Sequence, residues 1–116
     1  MPRRPQKPTE PKRLRPRQLK ELIEEALIDA YGESEQRVAF LTMLEEHLDC
    51  PFMTEILGTP VRVDGVDLND AEEIVAICRR GRQRQLLPIL NLPLPSPPPA
   101  GWEWIAAYRH WTRGGR

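Results

Sequence analysis

Cysteine is scarce in this chain and long apolar runs are missing. Cys50 and Cys78 are the two cysteines among 116 residues, too few for a disulfide framework, and they read as reduced thiols. No stretch of 18 apolar residues occurs, so no membrane-spanning helix is expected. The first residues hold no apolar h-region, which argues against a secretory leader and for a cytoplasmic protein. Serine is also sparse: Ser34 reads as a helix cap and Ser96 lies among prolines. With no Gly-rich phosphate loop either, nucleophilic chemistry lacks its usual parts, and the chain is not expected to be an enzyme. His47 and His110 join the two cysteines as soft ligands, but no CxxC pair exists and the four are scattered, which disfavours a structural zinc.

Net charge is absent too, with 17 basic and 17 acidic residues, but the signs are segregated. Residues 1–20 carry eight Lys/Arg and one acid, Glu10; residues 21–73 carry fifteen Asp/Glu against Arg37 and Arg62; residues 79–116 carry seven Arg and one acid, Glu103. An acidic middle of this kind repels itself when folded. Relief would come from the Arg-rich end, from a basic partner or from a metal ion.

Proline organises the start. Pro2, Pro5, Pro8 and Pro11 recur every three residues among Arg and Lys, a pattern for extended polyproline II, so residues 1–15 read as a disordered basic tail. Residues 16–116 read as one compact domain. Leu19, Leu22, Ile23, Ala26, Leu27 and Ala30 form a helical stripe opened by Pro16, with Gly32 as the expected left-handed stop. Ser34 is the expected cap of a second helix with a stripe of Val38, Leu41, Leu44 and Leu48, Phe40 alongside, ending at Pro51. Short runs at 52–57, 61–66, 74–80 and 85–92 read as strands, the third central and the fourth demoted to an edge by Pro88. Asp64-Gly65 suits a turn or bulge. After a proline-rich crossover at 93–99, residues 102–112 read as a short aromatic helix. The expected fold is α+β: an N-terminal αα-hairpin packed on a small curled antiparallel sheet or SH3-like barrel, closed by that helix.

Two acidic constellations could carry chemistry. In Glu45-Glu46-His47-Leu48-Asp49 the spacing predicts three carboxylates on one flank of a helix C-terminus, where like charges and the macrodipole both disfavour them. Such conflicts tend to mark function, although most charge runs are simply solvated faces. The second is Asp64-Gly-Val-Asp67-Leu-Asn69-Asp70-Ala-Glu72-Glu73, read as a loop with six oxygen-bearing side chains. Ca²⁺ takes six to eight oxygens in a tolerant geometry, but the EF-hand order is absent. A third acidic stretch, Asp29 to Glu35, sits where a helix start favours anions. The basic cluster Arg79-Arg80-Gly81-Arg82-Gln83-Arg84 could meet phosphate, but the neighbouring acids would repel nucleic acid, and pairing with those acids is the expected role.

The runs "LIDAYGESEQRVAFLTMLEEHLDCPF", "GTPVRVDGV", "CRRGRQRQLLPILNL" and "AYRHW" together resemble, over roughly residues 19–112, the family of the cyanobacterial calcium-binding protein CcbP. The most specific pieces are Asp29-Ala30-Tyr31-Gly32-Glu33, Leu44-Glu45-Glu46 with Pro51-Phe52, and Tyr108-Arg109-His110-Trp111. The resemblance implies a compact fold of helices and sheet that binds Ca²⁺ through surface carboxylates without EF-hands, for buffering or sensing. The family's acidic position after the Leu-Glu pair matches Glu46. The expected metal ligands are therefore Glu46, Glu45 and Asp49 with Asp64, Asp67 and Asp70, and the expected cofactor is Ca²⁺. The alternative is a non-catalytic interaction module that keeps the fold without metal and uses its basic, Pro-spaced tail to meet a protein partner.

Overall fold

The computed structural model describes residues 13–115. Most of the expected basic tail, residues 1–12, lies outside the described residues. The elements are α1 (Pro16–Ala26), α2 (Glu33–His47), β1 (Phe52–Ile56), β2 (Thr59–Leu68), β3 (Ile74–Arg80), β4 (Gln83–Pro88), a 3₁₀ turn (Ile89–Asn91) and α3 (Trp102–Thr112). The fold is α+β, with two N-terminal helices, a four-stranded antiparallel sheet and a C-terminal helix. No helix among the described residues is long and apolar enough to cross a membrane.

The strands run in a meander, β1-β2-β3-β4. Tight hairpins impose that order. Leu57 and Gly58 both have positive φ, 50° and 77°, the backbone of a two-residue turn whose twist matches the strands. The strand bounds expected from the sequence leave Gly58-Thr59-Pro60 as the separator; the turn is Leu57-Gly58 instead, and Thr59 and Pro60 already pair with Ile56 and Glu55. Gly81 and Arg82 turn β3 into β4, with Arg80 opposite Gln83. Within β2 the register slips between Val63 and Gly65. This bulge lets Val61 and Val63 face the core before it, and Val66 and Leu68 pack against the core after it. β3 is central, as its apolar faces imply, and Pro88 ends β4 at an edge. Residues 89–91 wind into the 3₁₀ turn instead of extending that strand. β1 and β4 do not pair with each other, so the sheet is open rather than a closed barrel.

The core joins all layers. Ile23 and Ala26 of α1, Phe40 and Leu44 of α2, Val63, Ile74 and Ala76 of the sheet, and Trp104, Ile105, Ala107 and Tyr108 of α3 form one buried cluster. The Phe40 ring lies 5.4 Å from Tyr108, edge-on, and 5.2 Å from Trp111. Such aromatic pairs contribute about 0.5–1.5 kcal/mol beyond their buried area.

Hydrogen bonds anchor the proline-rich crossover and its flanks. Thr54, buried, donates its hydroxyl to the Pro93 carbonyl at 2.5 Å, and the Asp49 amide donates to the Ala100 carbonyl at 2.9 Å. Half-buried Arg109 donates to the carbonyls of Ile89 and Leu92. Its charge thereby meets backbone dipoles at the exit of the 3₁₀ turn.

Local expectations at the helix ends need correction. α1 stops at Ala26, and the Ala30 amide instead bonds the Leu27 carbonyl in a turn. The apolar period runs on because turn residues Leu27 and Ala30 are also partly buried. Gly32, at φ 86° and ψ 155°, precedes α2 as its cap residue rather than closing α1. Ser34 lies inside α2, and its hydroxyl donates to Glu72 at 2.5 Å. Val38 is exposed, since α2 turns Phe40 and Leu44 inward against α3 and β2.

Candidate functional site

The first acidic constellation sits where α2 ends. Leu48 is extended at φ −75° and ψ 119°, because its side chain must enter the core ahead of Pro51. Asp49 therefore leaves the helix, and the shared flank predicted from the i+3 and i+4 spacing does not form. Glu45, Glu46 and Asp49 are all exposed. One Glu46 oxygen lies 3.9 Å from His47 Nε2, and the His47 ring stacks on Trp104 with centroids 5.4 Å apart. Among the described residues Glu45 and Asp49 have no ion-pair partner, and no arginine pairs with Glu46.

The second constellation is divided between strand and turn. Asp64 and Asp67 belong to β2, so the ten-residue loop expected from the sequence is a five-residue connection, 69–73. Asp64 sits at the bulge and accepts from Arg62 at 2.6 Å and Arg79 at 3.0 Å. Arg62 and Arg79 face each other across β2 and β3. Two like charges directly opposite are destabilising, and Asp64 bridges the pair and offsets one of the two charges. These hydrogen bonds hold its carboxyl below the usual carboxylate range. Asp67 accepts the Leu68 amide at 2.8 Å and is otherwise exposed. Asp70 is exposed in the connection.

That connection is built on Asn69. Its side-chain oxygen accepts the amides of Ala71 and Glu73, both at 2.9 Å, and its side-chain nitrogen donates to Glu73. This is the Asx-turn chemistry that makes Asn favourable in turns. Glu72 takes positive φ, 60°, and points its carboxylate at α2, where Ser34 donates to it and Arg37 lies 3.6 Å away. Arg37 also pairs with Glu33 at 3.1 Å. Sequence reasoning missed this Ser34–Arg37–Glu72 tie between α2 and the sheet. Its signal was long-range and had no periodic counterpart in the chain.

A Ca²⁺ ion needs several converging oxygens. Among the described residues no three His, Cys, Asp or Glu side chains come together as a metal cage. The six expected ligands fall into an α2-end group, a strand position already held by two arginines, and two separated exposed acids. His47, His110, Cys50 and Cys78 likewise form no zinc cluster. The residues therefore do not build a site in which protein side chains alone would enclose the ion.

The cysteines are not arranged as nucleophiles. Burial pushes both thiols up, with Asp49 and Asp64 adding to the effect at Cys50 and Asp64 at Cys78. A raised thiol has little thiolate at neutral pH.

Of the Arg-rich run, Arg79 pairs with an acid as expected. Arg80, Arg82 and Arg84 have no acidic partner among the described residues. The turn at Gly81-Arg82 breaks the strand alternation, so these three do not line one strand face. The expected mutual neutralisation of acidic and basic blocks is thus confined to a few contacts. Comparison with protein-family models, curated proteins and solved structures finds no match.

Proposed function

We propose that the protein is a small, non-catalytic Ca²⁺-binding protein that takes the ion at its acidic surface, as its resemblance to the CcbP family implies. One observation carries the reading: the carboxylates at the end of α2 remain without arginine partners in a chain rich in arginine. Among the described residues, carboxylate–arginine pairs occur at Asp64, Glu33 and Glu72. A cation from solution would offset the charge that Glu45, Glu46 and Asp49 present there. One or two of these carboxylates would supply charge, and backbone carbonyls and water would complete the shell. A site so open belongs with the weakest protein calcium sites, on the order of 10⁻⁴–10⁻³ M. It suits a buffer better than a switch.

Calorimetric titration with Ca²⁺, with Mg²⁺ and with an ionic-strength control tests this. Ca²⁺ should bind and raise the melting temperature beyond both comparisons, because ligand binding to the native state stabilises it. Glu46→Gln should weaken Ca²⁺ several-fold while leaving the metal-free protein unchanged or more stable by a few tenths of a kcal/mol. An unaltered isotherm in that variant removes Glu46 from the site. Heat that depends on ionic strength alone refutes calcium binding. A second reading, a metal-free interaction module, is favoured by Ile28, Tyr31 and Val38, which leave 69%, 78% and 46% of their surface exposed around the α1–α2 corner.

A further inference from the structure

The end of the sheet holding the β1–β2 and β3–β4 turns combines three features. β4 is an edge strand, and no described segment pairs with its outer side. Its residues Gln83, Arg84, Gln85 and Leu86 are all exposed, and its register with β3 is continuous. A groove of about 560 Å³ opens beside it, lined by the apolar Ile56, Val61, Cys78 and Leu87 and by Arg80 and Arg84. Finally, Arg80, Arg82 and Arg84 lack acidic partners among the described residues.

An open edge offers unpaired amides and carbonyls to an extended chain. In strand addition, backbone bonds supply affinity and pockets for alternate side chains supply specificity. We propose that β4 accepts an extended acidic segment of another protein as a fifth strand, with apolar side chains entering the groove, carboxylates on the opposite face meeting Arg84, which pairs with Arg79 across the ladder, and the end of the segment reaching Arg80 and Arg82 at the turn. The arginines also select the partner, because a basic strand, including β4 of a second copy, is repelled. Single-stranded nucleic acid is the weaker candidate. It needs stacking platforms, and no aromatic ring lines the groove.

Two fluorescent eight-residue peptides test the proposal in EDTA, so that the outcome is independent of calcium. One alternates Glu with Leu and the other alternates Lys with Leu. The Glu peptide should bind at least tenfold more tightly and protect alternate amides of residues 83–87 from hydrogen exchange. Methylating alternate backbone nitrogens of the Glu peptide should abolish binding at unchanged charge. The triple variant Arg80→Glu, Arg82→Glu, Arg84→Glu, checked for folding by circular dichroism, should reverse the preference to the Lys peptide. Binding unaffected by N-methylation overturns strand addition. Absence of Glu-peptide binding overturns the proposal, as does tighter binding of an oligo-dT that the triple variant loses.

Discussion

Gly101→Ala is expected to be the most damaging single-methyl change in the protein. Gly101 begins α3 at φ 87° and is buried. Its backbone lies against the C-terminus of α2. A β-carbon here would overlap the His47 carbonyl oxygen and come within 2.7 Å of the Leu48 α-carbon. Both neighbours are backbone, so no side chain can rotate out of the way. Two costs follow. A non-glycine residue in the left-handed region costs about 1–2 kcal/mol, and forcing extra volume into a packed site costs about 1–3 kcal/mol. Their sum, about 2–5 kcal/mol, is a large part of the roughly 5–15 kcal/mol that holds a typical domain together.

Gly81→Ala supplies the control. Gly81 also has positive φ, 58°, but nothing lies within 4 Å of an added β-carbon. It should show the conformational cost alone. Urea denaturation of both variants, at unchanged slope, isolates the close approach as the difference between them, at least about 1 kcal/mol. At about 4–8 °C per kcal/mol for a domain of this size, thermal melts should separate the variants clearly. Equal destabilisation by the two substitutions would refute the contact between the end of α2 and the start of α3.

Two further changes probe the sheet. Asp64→Asn should destabilise the protein at neutral pH and flatten its acid limb. The Asp64 carboxyl is held low by Arg62 and Arg79, so its contribution is present above the ordinary carboxylate pKa and is lost as pH falls through the lower folded value. Stability measured against pH, with and without the substitution, should converge at low pH; parallel curves would count against the bridge. Leu57→Asn should stabilise. Leu57 is fully exposed at φ 50° beside Gly58, and Asn-Gly is the preferred pair for this turn, so a gain on the order of 0.5–1 kcal/mol should appear in denaturant melts.

Much of the fold was legible because its signals are local. β3 and α3 are found at their expected bounds, 74–80 and 102–112: the first is a continuous apolar run, and the second is fenced by Gly101 and the Gly114-Gly115 pair. Pro88 correctly marked an edge, and Asp64-Gly65 marked the bulge. The phase of the apolar residues also records that bulge, passing from Val61 and Val63 to Val66 and Leu68. Helix ends were less legible. Leu27 and Ala30 continue the apolar stripe although the backbone has turned, because periodicity reports burial and not hydrogen bonding. Leu48 ended α2 for a tertiary reason, its place in the core, and so carried Asp49 off the expected flank. The same tertiary effect separated the carboxylates that spacing had grouped.

Charge segregation in the sequence admits two structural outcomes, and the contacts distinguish them. Had the acidic and basic blocks evolved chiefly to neutralise each other, the β3–β4 arginines would face the end of α2 or the 69–73 connection. They do not. The connection is tied to α2 by Ser34 and Arg37, residues internal to the acidic block. The β3–β4 turn lies at the opposite end of the strands, as the meander requires: β2 and β3 join at one end, while the β1–β2 and β3–β4 turns share the other. Topology alone thus keeps Arg80 and Arg82 a strand's length from Asp70 and Glu72. At about 3.4 Å per residue, the seven residues of β3 separate these groups by more than two Debye lengths at physiological salt. The acids of the connection and the arginines of the turn therefore act on solution partners independently. The proposed cation at the end of α2 lies outside this pair of charge groups, and an acidic strand at the β3–β4 arginines would not compete with the acids of the connection.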